Sequence, residues 1–153
     1  MVARKWQKGD RMEQSVEALN AIPARMVGAW NRGDVAGFFA DFAEDAVFAE
    51  LEGTFYRSRA EMVAAHEELF GTVLKGSRLV QGEVPYARII SPGVGVVYQR
   101  VGILMPGEEE PPPTRFSMQL YVAVWRDDRW VVVAVENSRL LSLEAVLESL
   151  AVG

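Results

Sequence analysis

The chain has no cysteine and only one histidine among its 153 residues. Without thiols there is no disulfide framework and no iron–sulfur site, and a lone imidazole rules out a His/Cys zinc cluster or a multi-histidine iron site. No metal or cofactor is expected. Basic residues are the minority, 16 against 21 acidic ones for a net charge of -5. That balance argues against a nucleic-acid partner, because phosphate binding draws on a basic face. No apolar run approaches the roughly 18 residues of a spanning helix. The basic start, Met1 to Arg11, leads into Met12, Glu13 and Gln14 without the apolar centre of a signal peptide. The expectation is a cytoplasmic protein that engages no membrane, with residues 1–11 a flexible basic tail and 12–153 a single domain. Two catalytic signatures are also missing: the Gly-x-Ser-x-Gly elbow of many hydrolases, and the Gly-x-Gly-x-x-Gly turn that would bind a dinucleotide for redox chemistry.

Half of the residues are hydrophobic, enough for a substantial core. Met12, Val16, Leu19, Met26 and Trp30 keep a helical rhythm over 12–31, interrupted by Pro23. Asn31-Arg32-Gly33-Asp34 stops that helix and starts a short second one, whose Val35, Phe38, Phe39 and Phe42 give it an aromatic face. A third helix carries Met62, Val63, His66, Leu69, Phe70, Val73 and Leu74 at three- and four-residue steps. The only histidine, His66, therefore lies in an apolar stripe and needs a hydrogen-bond partner, because a buried unpaired polar group costs about 1–3 kcal/mol. Either a backbone carbonyl or a polar group across a pocket satisfies it.

Strands are predicted over 46–52, 78–90, 94–105, 115–126 and 129–140. In the first, Glu50 shares a face with Phe48, so it reads either as an exposed edge carboxylate or as a pocket acid. On later strands Tyr98 pairs with Arg100, Ser117 with Gln119 and Tyr121, and Glu136 and Asn137 fall on opposite faces. Strict alternation groups Glu136 with Trp130, Val132 and Ala134, and Asn137 with Val131, Val133 and Val135. Which face is concave is open at this level. The segment 106–113, with Glu108, Glu109 and Glu110 beside three prolines, reads as a stiff, solvated hairpin loop. The run Trp130 to Val135 is apolar on both faces, so both need cover. Helices supply one side, and the other is assigned to a homodimer through the sheet or to the amphipathic segment 140–152.

Three N-terminal helices, a strongly curved and mainly antiparallel sheet and a short C-terminal helix make an α+β cone. The chain resembles the NTF2-like superfamily, and within it the SgcJ/EcaC branch of SnoaL-like proteins. The resemblance rests on Ala29-Trp30-Asn31-Arg32-Gly33-Asp34, Asp41 to Ala46, Gly53-Thr54, Ala64-Ala65-His66 through Phe70, Ser77-Arg78-Leu79, Pro111 to Pro113, and Arg129-Trp130 through Glu136-Asn137-Ser138. These segments span residues 20–140 and look closest to small cone-fold proteins of enediyne antibiotic clusters. The resemblance implies that a hydrophobic polyketide or polyene ligand enters the mouth of the cone, with a polyketide synthase as partner. Two readings follow: acid–base isomerisation or cyclisation, or non-catalytic carriage and scaffolding. For the first, His66, Glu50 and Glu136 are the catalytic candidates. Trp30, Phe38, Phe42, Phe70, Tyr98, Arg100, Gln119, Tyr121 and Asn137 are the ligand-binding candidates. Steroid isomerases of the superfamily place an oxyanion-holding tyrosine on the first helix, and this first helix has none, so that activity is not implied.

Overall fold

The structure is a computed structural model that describes residues 14–81 and 86–151; Met12 and the expected tail lie outside them. Helix α1 (Val16–Asn31) begins where Ser15 accepts a hydrogen bond from the Ala18 amide, and it runs unbroken through the buried Pro23. It ends at Gly33, whose φ of 70° is the left-handed conformation that glycine adopts without strain. Asp34 then caps the one-turn α2 (Val35–Phe38) by accepting from the Gly37 amide at 2.8 Å. The second helix is thus shorter than its aromatic pattern implies, and Phe42 opens strand β1 (Phe42–Ala49) instead.

The next turn contains Glu50, and Glu50 and Thr54 close it backbone to backbone at 2.8 Å before the two-residue β2 (Phe55–Tyr56). Helix α3 (Arg59–Gly71) starts with Ser58 bonded to the Glu61 amide, while the Glu61 carboxylate reaches back to the Arg57 amide. Of the strand expected over 78–90, β3 (Arg78–Gln81) and β4 (Tyr86–Ser91) pair with successive stretches of the same neighbour, and 82–85 lie outside the described residues. Strands β5 (Val94–Leu104), β6 (Phe116–Arg126) and β7 (Arg129–Arg139) follow, and then helix α4 (Leu143–Ala151).

The sheet order is β2-β1-β7-β6-β5-β3, with β4 also on β5; β1 and β7 run parallel and the other pairs antiparallel. The helices fill its concave side. Leu19, Ile22, Phe39, Phe42 and Met62 are almost fully buried there against Val97, Ala123, Val132 and Tyr121 of the sheet. Each such large apolar side chain removes enough surface from water to contribute about 1.5–3 kcal/mol. Two details fix α1 on the sheet. The Asn31 side chain accepts from the Leu79 amide at 2.7 Å and donates to its carbonyl at 3.1 Å. Gly95 leaves room for Leu19, since a Cβ there would sit 2.5 Å from Leu19 Cδ1.

Strand β7 carries one extra residue: Val122 faces Ala134 but Ala123 faces Val132, leaving Val133 without a partner on β6. The bulge corrects the face assignment from strict alternation. Trp130 and Val132 look inward together with Val135 and Asn137, not with Glu136. Among the described residues, no helix is long and apolar enough to cross a membrane.

Candidate functional site

Inside the cone lies a cavity of about 260 Å³, bounded by α1, α3, the β1–β2 turn and the concave wall of the sheet. Trp30, Phe38, Phe48 and Tyr56 give it aromatic walls, and Val101 and Ile103 continue them along β5. The polar groups that interrupt this lining are concentrated. Glu50 and Glu52 come from the turn, His66 from α3, Arg115 and Ser117 from the start of β6 and the residues before it, Gln119 from β6 and Asn137 from β7.

His66 and Glu50 form the centre. One helical turn separates His66 from Met62, which brings the imidazole Nδ1 2.8 Å from the Met62 carbonyl. A carbonyl only accepts, so Nδ1 must carry the proton. Nε2 then faces the Glu50 Oε1 at 3.4 Å. The second oxygen of Glu50 accepts from the Asn137 side-chain amide at 3.2 Å. A neutral imidazole protonated at Nδ1 offers only a lone pair at Nε2, and a carboxylate offers only acceptors. The contact is attractive only with a proton on one of the two atoms, as an imidazolium facing a carboxylate or a carboxylic acid facing a neutral imidazole.

Aromatic side chains enclose this pair. The rings of Phe39, Phe38, Phe48, Tyr56 and Trp30 have centroids 4.9 to 6.4 Å from that of His66. They keep water from the imidazole and present π faces or edges to it. Trp30 is itself held, donating from Nε1 to Ser77 Oγ at 3.1 Å. His66 is the more deeply buried partner, its side chain 6% exposed against 14% for Glu50. With Nδ1 on Met62 and Nε2 on Glu50, the imidazole has no free nitrogen for a ligand. The carboxyl is the group it presents.

Along the concave wall Gln99, Gln119 and Asn137 sit directly opposite one another on β5, β6 and β7, forming a row of amides that ends at Glu50. Tyr121, fully buried beneath the row, donates its hydroxyl to Gln119 Oε1. Burial pushes the Tyr121 phenol far above its ordinary range, and the Glu50 charge adds to the effect, so Tyr121 stays a donor. Tyr56 is also raised, first by burial and then by Glu50 and Glu52. Gln99 Oε1 and Asn137 Oδ1 are buried without a hydrogen-bond partner. At the mouth Glu108 accepts two bonds from Arg115, at 2.5 and 2.7 Å, and one from the Met105 amide. The acidic loop is therefore tied down at Glu108, while Glu109 and Glu110 are exposed.

The candidates from sequence divide three ways. His66, Glu50, Trp30, Phe38, Gln119 and Asn137 meet around the cavity. Phe70 packs behind Trp30 at 4.5 Å, Phe42 lies in the core against Phe39, and Tyr121 acts through Gln119. Three assignments are corrected. Glu136 is exposed on the convex face, because its neighbour Asn137 takes the concave one. Tyr98 and Arg100 lie on the convex face as well, since β5 turns Val97, Gln99 and Val101 inward. Tyr98 meets Tyr86 there, and Arg100 covers the Phe116 ring. Tyr56 and Arg115 are lining residues the sequence reading missed. Tyr56 sits on a two-residue strand too short to show periodicity, and the placement of Arg115 depends on Glu108. Among the described residues, no three His, Asp or Glu side chains converge to hold a metal ion.

No protein-family model matches the chain, and no curated protein does. Solved structures do. A domain of unknown function with a cystatin-like fold from Nostoc punctiforme is 33% identical, with a TM-score of 0.84 over 95% of this chain and 86% of that one. An NTF2-like protein with a cystatin-like fold from Novosphingobium aromaticivorans is 17% identical, with a TM-score of 0.71 and 90% of each chain covered. A ketosteroid isomerase-like protein from Erwinia carotovora atroseptica is 14% identical, with a TM-score of 0.68 over 84% of this chain and 98% of that one. The last two likenesses concern the fold alone.

Proposed function

The chain belongs to the NTF2-like superfamily, and from its walled-in Glu50–His66 pair we propose that it binds a compact, apolar, uncharged molecule in the cone and moves a proton on it. The observation that carries this reading is the pair itself: a carboxyl opening onto an apolar cavity, backed by an imidazole that has no other outlet. Glu50 as carboxylate takes a proton from a carbon next to a ligand carbonyl and returns it at another position, which is an isomerisation with no net proton change. The His66 imidazolium behind it and the Gln119 amide beside it offset the negative charge that develops on the ligand oxygen. Glu50 is thus the proton carrier and His66 the positioning partner.

The likeness of segments such as Ala64-Ala65-His66 to the SgcJ/EcaC branch supports a polyketide intermediate of enediyne biosynthesis as the ligand, delivered in the cytoplasm by a polyketide synthase. The test is mass spectrometry of small molecules extracted from the protein after co-expression with an enediyne synthase, against synthase alone. A polyene changed in saturation or connectivity is the expected result. Absence of any bound or altered compound refutes this ligand class.

One observation favours a second, carrier reading: both imidazole nitrogens of His66 are already engaged. An unaltered polyene retained by the folded protein would decide for it. The convex sheet face, where Tyr86 and Ile90 are 43% and 48% exposed beside half-buried Leu120 and Val122, supports pairing of two copies through the sheet.

A further inference from the structure

On the sheet side the cavity is polar where the helix side is aromatic. Ser117 and Gln119 on β6 and Asn137 on β7 line it there, while Trp30 and Phe38 come from α1 and α2. Two of the polar groups have a fixed sense. Asn137 donates from Nδ2 to Glu50 Oε2 at 3.2 Å, and a carboxylate oxygen only accepts, so this amide cannot be turned round. Its Oδ1 is left buried with no hydrogen-bond partner among the described residues. Gln119 is the reverse case. Its Oε1 already accepts from the Tyr121 hydroxyl, which leaves the hydrogens on Nε2 as what it offers. The two residues are direct partners across β6 and β7, so an unmet acceptor and a donor stand side by side, at about the 4.8 Å spacing of neighbouring strands. A buried amide oxygen without a donor is unfavourable, and something that enters the cavity can supply what the protein does not.

From this acceptor beside a donor we infer that the ligand carries a hydroxyl near its carbonyl and that Asn137 selects for it: the hydroxyl donates to Asn137 Oδ1 over β7, while the carbonyl oxygen accepts from Gln119 over β6. The inference rests on the carbonyl ligand proposed above and adds to it a second functional group and an orientation. Strand spacing favours a 3-hydroxy ketone over a 2-hydroxy ketone, because oxygens on neighbouring carbons lie closer together than two adjacent strands do. The hydroxyl end lies towards Glu50, since Asn137 is the residue that Glu50 holds. The apolar remainder of the molecule rests on Trp30 and Phe38. Asn137 is thereby a specificity residue as well as a support for the carboxyl.

The test is calorimetric titration of the full-length protein with three ketones on one rigid skeleton: 1-indanone, 3-hydroxy-1-indanone and 3-methoxy-1-indanone. The hydroxy ketone brings both oxygens and the donor, the methoxy ketone both oxygens without it, and indanone the carbonyl alone. 3-Hydroxy-1-indanone is expected to bind at least about tenfold more tightly than either of the others, the effect of one hydrogen bond to a buried group. It alone is expected to move the Asn137 side-chain amide signal downfield in 15N-resolved NMR spectra, because an Oδ1 that accepts polarises the N–H bonds of the same amide. In Asn137→Leu, with folding checked by circular dichroism, the three affinities are expected to converge. Equal binding of all three by wild type would mean that water serves as the donor, which overturns the inference and leaves ketone binding standing. A preference that persists in Asn137→Leu, or that leaves the Asn137 signal unmoved, places the hydroxyl elsewhere and overturns it too. If wild type binds none of the three, the inference and the ligand class proposed above fall together.

Discussion

Asn137 and His66 grip the two oxygens of one carboxyl: the Asn137 amide reaches Glu50 Oε2 at 3.2 Å, and the imidazole Nε2 faces Oε1 at 3.4 Å. The two partners are not equivalent. The amide can only give a hydrogen bond here, so it marks Oε2 as the acceptor and leaves Oε1 to face the imidazole. An asymmetric carboxyl of this kind presents a defined oxygen to whatever enters the cavity.

Replacing Glu50 with Gln keeps the shape but removes the exchangeable proton. Conversion of the extracted ligand is expected to fall about 100-fold or more, the range for loss of a general acid–base group. Ligand affinity should hardly change. In parallel, 15N NMR of the His66 ring is expected to show Nε2 losing its shared proton while Nδ1 keeps its bond to Met62. An unchanged Nε2 signal together with undiminished conversion would remove Glu50 from the mechanism.

Tyr121→Phe deletes the hydroxyl that satisfies Gln119 Oε1 in a fully buried site. A stability loss of about 1–3 kcal/mol in urea is expected, from leaving an amide oxygen unpaired. In the wild-type protein the phenol is pushed above its usual range by burial. Spectroscopic titration should therefore show Tyr121 ionising only when alkaline unfolding exposes it, and ionisation of all four tyrosines in the folded state would contradict this.

The loop at the mouth should respond to acid. Hydrogen bonds from Arg115 and then from the Met105 amide hold Glu108 below its ordinary carboxyl range. A lowered folded-state value means the tie contributes fully above the range of an unfolded glutamate and is lost as pH falls through the folded value. Amide exchange at Met105, after correction for the intrinsic rate, should accelerate on acidification below the usual glutamate range. Glu108→Gln should make that acceleration disappear.

Gly95→Ala tests how α1 meets the sheet. The added methyl would meet Leu19 Cδ1 at 2.5 Å, and Leu19 is fully buried, so a loss of about 1–3 kcal/mol from overpacking is expected. Leu19→Ala in the same chain should recover part of it. Additive losses would show that the two residues do not share the space.

The sequence carried the fold and about half of the site. The stripe through Met62, His66 and Leu69 identifies an inward-facing imidazole, and the shared face of Phe48 and Glu50 identifies an acid beside an apolar wall, because both are short-range periodicities. Glu136, Tyr98 and Arg100 show what periodicity does not reveal. Alternation sorts a strand's side chains into two sets, but only the helices decide which set is covered. On β7 even the sorting fails, because the bulge at Val133 shifts the phase between Trp130 and Asn137. The roles within the pair were equally hidden, since they depend on the Met62 carbonyl occupying Nδ1.

The bulge at Val133 acts as a parity bit. Deleting Val133 would merely remove the bulge and leave Asn137 inward, whereas pairing Val133 with Val122 instead, with Trp130 and Val132 still facing inward, would shift the distal half of β7 by one residue, bringing Glu136 into the cone beside Glu50 and expelling Asn137. Two carboxyls would then face each other where an amide and a carboxyl do now. The bulging of a single residue thereby sets the charge of the chamber.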